Sequence, residues 1–200
     1  MMEKKGITER RLDIIHTARD LFAEKDYYET KISDITKRLE ISQGTFYNYF
    51  KNKSDVFTYI IKTYIKRIEE IFLKENPGAS NSEVEFRNQL VRLENELFDV
   101  FIEDKNMYDI LFYRARVAGL EIEKEVKKLF KTTELFVKKY LEHGVNKKFL
   151  RNSIDVSLNA KAIRGMTTVA LEDLMENGAP LQLKERWILS LSNFILDGLS

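Results

Sequence analysis

An all-α fold is predicted by three features of this 200-residue sequence. Proline occurs only twice and glycine eight times, Lys, Glu, Leu and Ile are abundant, and apolar residues recur at helical spacing. The 44% apolar content can fill a core and the 32% charged content can clothe a soluble surface, which excludes disorder and fibre. Without cysteine there is no disulfide framework, thiolate zinc site or thiol nucleophile. The N-terminal stretch lacks the apolar segment of an export signal, and no apolar run reaches the ~20 residues of a membrane span, so a cytoplasmic location is expected.

Taken in order, Ile14, Ala18, Leu21 and Phe22 mark a first helix, Ile32, Ile35 and Leu39 a second, and Phe46 and Phe50 a third. Val56, Ile60, Tyr64, Ile68 and Phe72 mark a long fourth helix, which ends at the breaker Asn76-Pro77-Gly78. Beyond it Phe86, Leu90, Leu93, Leu97 and Phe101 form one stripe, and Met107 to Val117 a shorter segment closed by Gly119. Ile122 to Leu141 carry the next stripe, 144–153 read as a loop, and Leu158, Ala162, Met166, Val169 and Leu174 lead to the stop Asn177-Gly178-Ala179-Pro180. A last helix carries Trp187, Ile188, Leu191, Phe194 and Ile195.

Function concentrates between Ile32 and Lys53, where two short helices separated by Glu40-Ile41-Ser42 have helix-turn-helix spacing. With Ile32, Ile35, Leu39, Ile41, Phe46 and Phe50 facing inward, the outward set is Ser42, Gln43, Thr45, Tyr47, Asn48 and Tyr49, side chains able to bond phosphates and base edges, with Gly44 permitting close backbone approach. Tyr47 and Tyr49 as half-buried aromatics and Gln43 as a solvated residue are the bland alternatives. The formal net charge is only +1, yet Ile41 to Ser54 contain no acid and two lysines, so the electrostatic footprint is local. Ser42 suits the N-cap of the second short helix, Asn52 with Asp55 that of the next. Lys53 then opposes the helix dipole in a first turn and needs a partner such as a phosphate.

Thr8 to Lys53 resembles the N-terminal domain of the tetracycline-repressor (TetR) family of bacterial transcriptional regulators. The resemblance is carried by Ala18-Arg19-Asp20-Leu21-Phe22, Tyr28-Glu29-Thr30, and the run Ser42-Gln43-Gly44-Thr45-Phe46-Tyr47-Asn48-Tyr49-Phe50-Lys51-Asn52-Lys53. Asp26 stands where a glycine commonly ends the first helix, and Leu39-Glu40 where Ala-Gly enters the turn, so Glu40 requires a backbone less natural to a residue with a Cβ. The resemblance implies a homodimer with a helix-turn-helix DNA-binding domain at 1–52 and a helical ligand-binding and dimerisation domain at 53–200, of which 53–75 is the linking helix. It implies phosphate contacts for Thr30 and Lys31, backbone contacts for Thr45, Tyr47, Tyr49 and Lys53, and base-edge readers at Gln43, Gly44 and Asn48, with Ser42 in the same DNA-binding set.

The second domain is read from its residues. A pocket is expected from Tyr64 and Ile68 of the linking helix, from Phe86, Leu90, Leu97 and Phe101, from Met107, Leu111 and Phe112, and from Val126, Phe130, Tyr140 and Met166. Its aromatic content fits an apolar effector such as a fatty acyl chain or a lipophilic drug, and the same stripes also read as plain core. Arg114 and Arg116 read either as partners of an effector anion or as surface ion pairs. A dimer face is expected from Ala162, Gly165, Val169, Trp187, Leu191, Phe194 and Ile195, with Trp187 equally suited to an intrachain anchor. His16 and His143 have no partners at metal-ligand spacing and no catalytic motif is present, so no metal, cofactor or enzymatic activity is expected. The expected function is a ligand-responsive regulator, with repression as its sign, that binds palindromic operator DNA through the helix-turn-helix at 30–50. The competing reading is a helical ligand- or protein-binding module without operator recognition.

Overall fold

A computed structural model describes residues 2–115 and 119–199, with side chains from 9 to 115 and 119 to 198; Arg116 and Val117 lie outside the described residues. Those residues form nine α-helices, one π-helical segment and no strand: α1 (Met2–Lys25), α2 (Ile32–Arg38), α3 (Gln43–Tyr47), α4 (Lys53–Lys74), α5 (Glu83–Glu103), α6 (Lys105–Asp109), the π segment (Ile110–Arg114), α7 (Leu120–Asn146), α8 (Val156–Glu176) and α9 (Leu181–Leu199). The chain forms two compact units, Met1–Ile65 with Asn106–Val126, and Lys66–Lys105 with Lys127–Ser200.

In the first unit Ile14, Ala18, Leu21 and Phe22 of α1, Ile35 of α2, Phe46 of α3 and Val56, Phe57 and Ile60 of α4 are buried, and all but Phe57 belong to the predicted stripes. Phe22 meets Phe57 edge-on at 4.9 Å, and Arg11 lies 4.0 Å over the Tyr59 ring. The segment 106–126 was expected beyond the domain boundary and instead groups with residues 1–65. Arg114 shows one reason: its guanidinium donates to the Ala23 carbonyl at 3.0 Å and lies 3.5 Å from the Asp26 carboxylate, a cation at the C-terminal end of α1.

Helix ends follow the signals in the sequence. Ser42 accepts from the Thr45 N–H at 3.1 Å and Asn52 from the Asp55 N–H at 2.9 Å, while the Asp55 carboxylate reaches back to the Lys51 N–H. Asp26 and Glu40, the residues standing for family glycines, hold left-handed φ values of 86° and 53°. Asp26 supports the bend by accepting the Tyr28 N–H at 2.9 Å, as a short carboxylate can. Glu40 sits in a Schellman turn, with its own N–H on Lys37 and that of Ile41 on the Thr36 carbonyl, and gains no such help.

The second unit packs α5, α8, α9 and the later part of α7 around Phe86, Leu90, Tyr140, Leu141, Leu150, Ala160, Ile163, Ile195 and Leu196. Phe86 and Tyr140 stack with centroids 4.0 Å apart and planes 5° from parallel, and the Tyr140 hydroxyl donates to the Phe86 carbonyl. The loop expected at 144–153 starts later, because α7 continues to Asn146. Gly144 lies inside the helix and packing requires it to be glycine: a Cβ there would lie 2.6 Å from Phe86 and 2.8 Å from Leu150. Between α5 and α9, Lys184 pairs with Asp99 at 2.6 Å and Ser192 donates to the Glu94 carboxylate at 3.1 Å. The other Glu94 oxygen is buried without a partner among the described residues, and burial pushes the Glu94 carboxyl up to about 8 despite the Ser192 bond. No helix among the described residues is long and apolar enough to cross a membrane.

Candidate nucleic-acid interface

α2 and α3 are placed by their inward residues, Ile35 and Phe46, both fully buried, so the remaining positions of α3 are turned outward. Ser42, Gln43, Gly44, Tyr47 and Asn48 are exposed, while Thr45 and Tyr49 are half-buried. Ser42 and Thr45 share a hydroxyl–hydroxyl hydrogen bond of 2.9 Å, which orients both at the start of α3. A Cβ on Gly44 would meet only the Ser42 hydroxyl, at 3.6 Å, so nothing inside the protein demands glycine there. The result is a solvent-facing surface of amide, hydroxyl and phenol groups without an acid, the chemistry that reads groove edges and phosphates.

A family model described as bacterial regulatory proteins of the tetR family matches residues 14–60, which enclose this surface. The chain is similar to the TetR family over that segment. It is a transcriptional regulator of helix-turn-helix type. Over 190 residues it is 25% identical to the fatty acid metabolism regulator protein of Bacillus subtilis, spanning 93% of this chain and 91% of that one. Similar folds include the TetR-family transcriptional regulator PfmR from Thermus thermophilus (TM-score 0.74, 21% identity, 94% of this chain and 95% of that chain). FadR from Bacillus subtilis in complex with stearoyl-CoA is also similar (TM-score 0.70, 21% identity, 94% and 99%).

Two of the residues expected at phosphates are turned to internal work. Thr30 is fully buried, its hydroxyl facing the carbonyls of Leu21 and Asp26 at 3.1 and 2.6 Å, so it closes the α1–α2 connection and offers no side chain to a phosphate. Lys53 was expected to need an outside anion. Its ammonium instead donates to the Tyr27 carbonyl at 2.6 Å and the Tyr28 carbonyl at 3.3 Å and lies 4.4 Å over the Tyr27 ring. Loss of water there lowers its affinity for a proton, against the pull of Asp26. Lys31 keeps an exposed side chain while its N–H binds the Asp34 carboxylate. Lys37 and Lys51 are exposed beside the same helices.

The expected pocket residues fall in both units. Tyr64, Met107, Leu111, Phe112 and Val126 belong to the first; Ile68, Phe86, Leu90, Leu97, Phe101, Phe130, Tyr140 and Met166 to the second. Phe86, Leu90 and Tyr140 are members of the packed core, and the tight fit of Gly144 gives Phe86 no room, so these three are corrected from pocket to core. Of the expected dimer residues, Leu191 and Ile195 are also corrected: they are 2% and 1% exposed, buried inside the protomer by the neighbouring helices. Ala162, Gly165, Val169 and Phe194 are exposed, and Leu158, which the i, i+4, i+7 spacing could have revealed, continues their line. Trp187 is anchored within the chain, its indole N–H on Asp173 at 2.7 Å, beside an open groove of about 220 Å³ lined by Asp173, Leu183, Arg186, Trp187 and Ser190.

Proposed function

We propose that the protein is a cytoplasmic, non-catalytic repressor that binds a two-fold operator as a homodimer, with 1–52 as the DNA-binding domain and 53–200 as the effector and dimerisation domain. The observation that carries this reading is the outward face of α3, exposed, free of acid and built on a glycine that the interior does not need. Gln43, Gly44 and Asn48 read base edges, whereas Ser42, Thr45, Tyr47, Tyr49, Lys31 and Lys51 hold phosphates. The exposed line of Leu158, Ala162, Gly165 and Val169, with Phe194, is the surface through which two copies pair. The effector is a long acyl chain, taken up as its CoA thioester. Likeness along the whole chain to a fatty acid metabolism regulator supports that class. α4 runs from the helix-turn-helix region into the second unit and carries the signal between them.

A gel-shift titration with the DNA upstream of the protein's own coding region tests the reading. A salt-sensitive complex that palmitoyl-CoA dissolves is expected. Absence of any such complex overturns it, and a complex indifferent to acyl compounds overturns the effector alone.

A further inference from the structure

The formal charge of +1 conceals a strongly basic stretch outside the helix-turn-helix. Residues 127–151 hold eight basic and two acidic side chains, so this segment is +6 and the remainder of the chain −5. Both acids are engaged, Glu134 with Arg164 at 3.9 Å and Glu142 with Lys138 at 3.8 Å. Lys128, Lys131 and Lys139 are exposed and have no ion-pair partner among the described residues. They stand at i, i+3 and i+11 of one α7 face, with Leu135, 49% exposed, at i+7 between them. Like charges gathered on one face cost self-repulsion, and an anion lying on them removes that cost.

We infer that Lys128, Lys131, Leu135 and Lys139 form a subsite for the phosphorylated nucleotide end of a CoA thioester. The inference rests on the acyl-CoA reading above and names the place where its head group is held. The stripe extends about 16 Å along the helix axis, the scale of a nucleotide carrying phosphates on both sides of its base. Lysines on either side of an apolar side chain match that chemistry: an adenine face against Leu135, with a 3′-phosphate and a pyrophosphate on the cations. The opposite side of α7 is apolar, with Leu129, Tyr140 and Leu141 buried. A lipid surface fits less well, since one half-exposed leucine is too small an apolar face to insert.

The test compares the wild type with the triple variant Lys128→Glu/Lys131→Glu/Lys139→Glu in calorimetric titrations with CoA, palmitoyl-CoA and palmitate at low and high salt. The wild type is expected to bind CoA at low salt and to lose it as salt rises. The variant is expected to lose CoA binding, to bind palmitoyl-CoA about ten- to hundredfold more weakly and to bind palmitate as the wild type does. Its helicity and its DNA affinity without effector should equal those of the wild type. Failure of the wild type to bind CoA, or equal CoA affinity in both proteins, overturns the subsite. So does a variant that keeps CoA but loses salt-sensitive retention of unrelated duplex DNA or phosphatidylglycerol vesicles. Failure of the acyl reading has a separate signature: palmitoyl-CoA then binds the wild type no more tightly than CoA does.

Discussion

Gly44 and Gly144 are both helical glycines, and their surroundings are opposite. Around Gly144 the interior closes at 2.6 Å, so a single methyl group would collide with Phe86, itself held in a stack with Tyr140. Around Gly44 the interior places only the Ser42 hydroxyl, at 3.6 Å. The first glycine is required by packing. The second costs helix stability, by about 1 kcal/mol against alanine, with no internal return, which fits the base-edge role proposed for it. The same division separates polar residues: Thr30 and Lys53 turn inward and hold the fold, whereas Gln43, Tyr47 and Asn48 stay exposed.

The largest expected effect tests the interior side of this comparison. Glu94 has a folded-state value near 8 against an ordinary 4.5, so the native state keeps a proton that the unfolded chain releases. Stability is then fully present below pH 4.5 and falls as pH rises towards 8, by up to ~1.4 kcal/mol per unit, with little further change above. Urea unfolding of wild type and Glu94→Gln from pH 4 to 9 should show the difference growing with pH in favour of the variant; parallel curves would show that the carboxyl is not held neutral. Next, Gly144→Ala should cost about 2–3 kcal/mol in denaturant unfolding through overpacking against Phe86, leaving the DNA affinity of the folded protein unchanged. Gly44→Ala is the converse: equal or slightly higher stability, with DNA affinity reduced about tenfold, near 1.4 kcal/mol. If that variant binds DNA normally, the contrast between the glycines collapses. Last, Glu40→Gly should raise stability by about 0.5–1 kcal/mol, since glycine relieves the left-handed strain at some cost in chain entropy, and a lower midpoint would show that the Glu40 side chain has a partner of its own.

Local rules made much of this legible in the sequence. The helix stripes, the Ser42 and Asn52 caps, the stop at Asn177-Gly178 and the unusual backbone at Glu40 all depend on neighbours within a few residues. What stayed hidden depends on distant ones. Lys53 finds its carbonyls twenty-six and twenty-five residues away in sequence, and position 144 must be glycine because of Phe86 on another helix. Nor can a stripe say whether Leu191 and Ile195 meet their own chain or a second copy, because both demand the same apolar periodicity. In the candidate interface the exposed members were readable and the buried Thr30 was not, since a threonine that binds a phosphate and one that closes a turn look alike in sequence.

The π-helical segment Ile110–Arg114 has a consequence for evolution as well as for geometry. Its wider turn accommodates one residue more than an α-helix of the same rise, so relatives with a regular helix here should align with a single-residue gap between Ile110 and Arg114. Removing one residue from that interval restores the regular winding and turns whatever follows by about 100° around the axis, which carries Arg114 away from the Ala23 carbonyl. A one-residue indel at this point therefore makes or breaks the cap on α1 in a single mutational step.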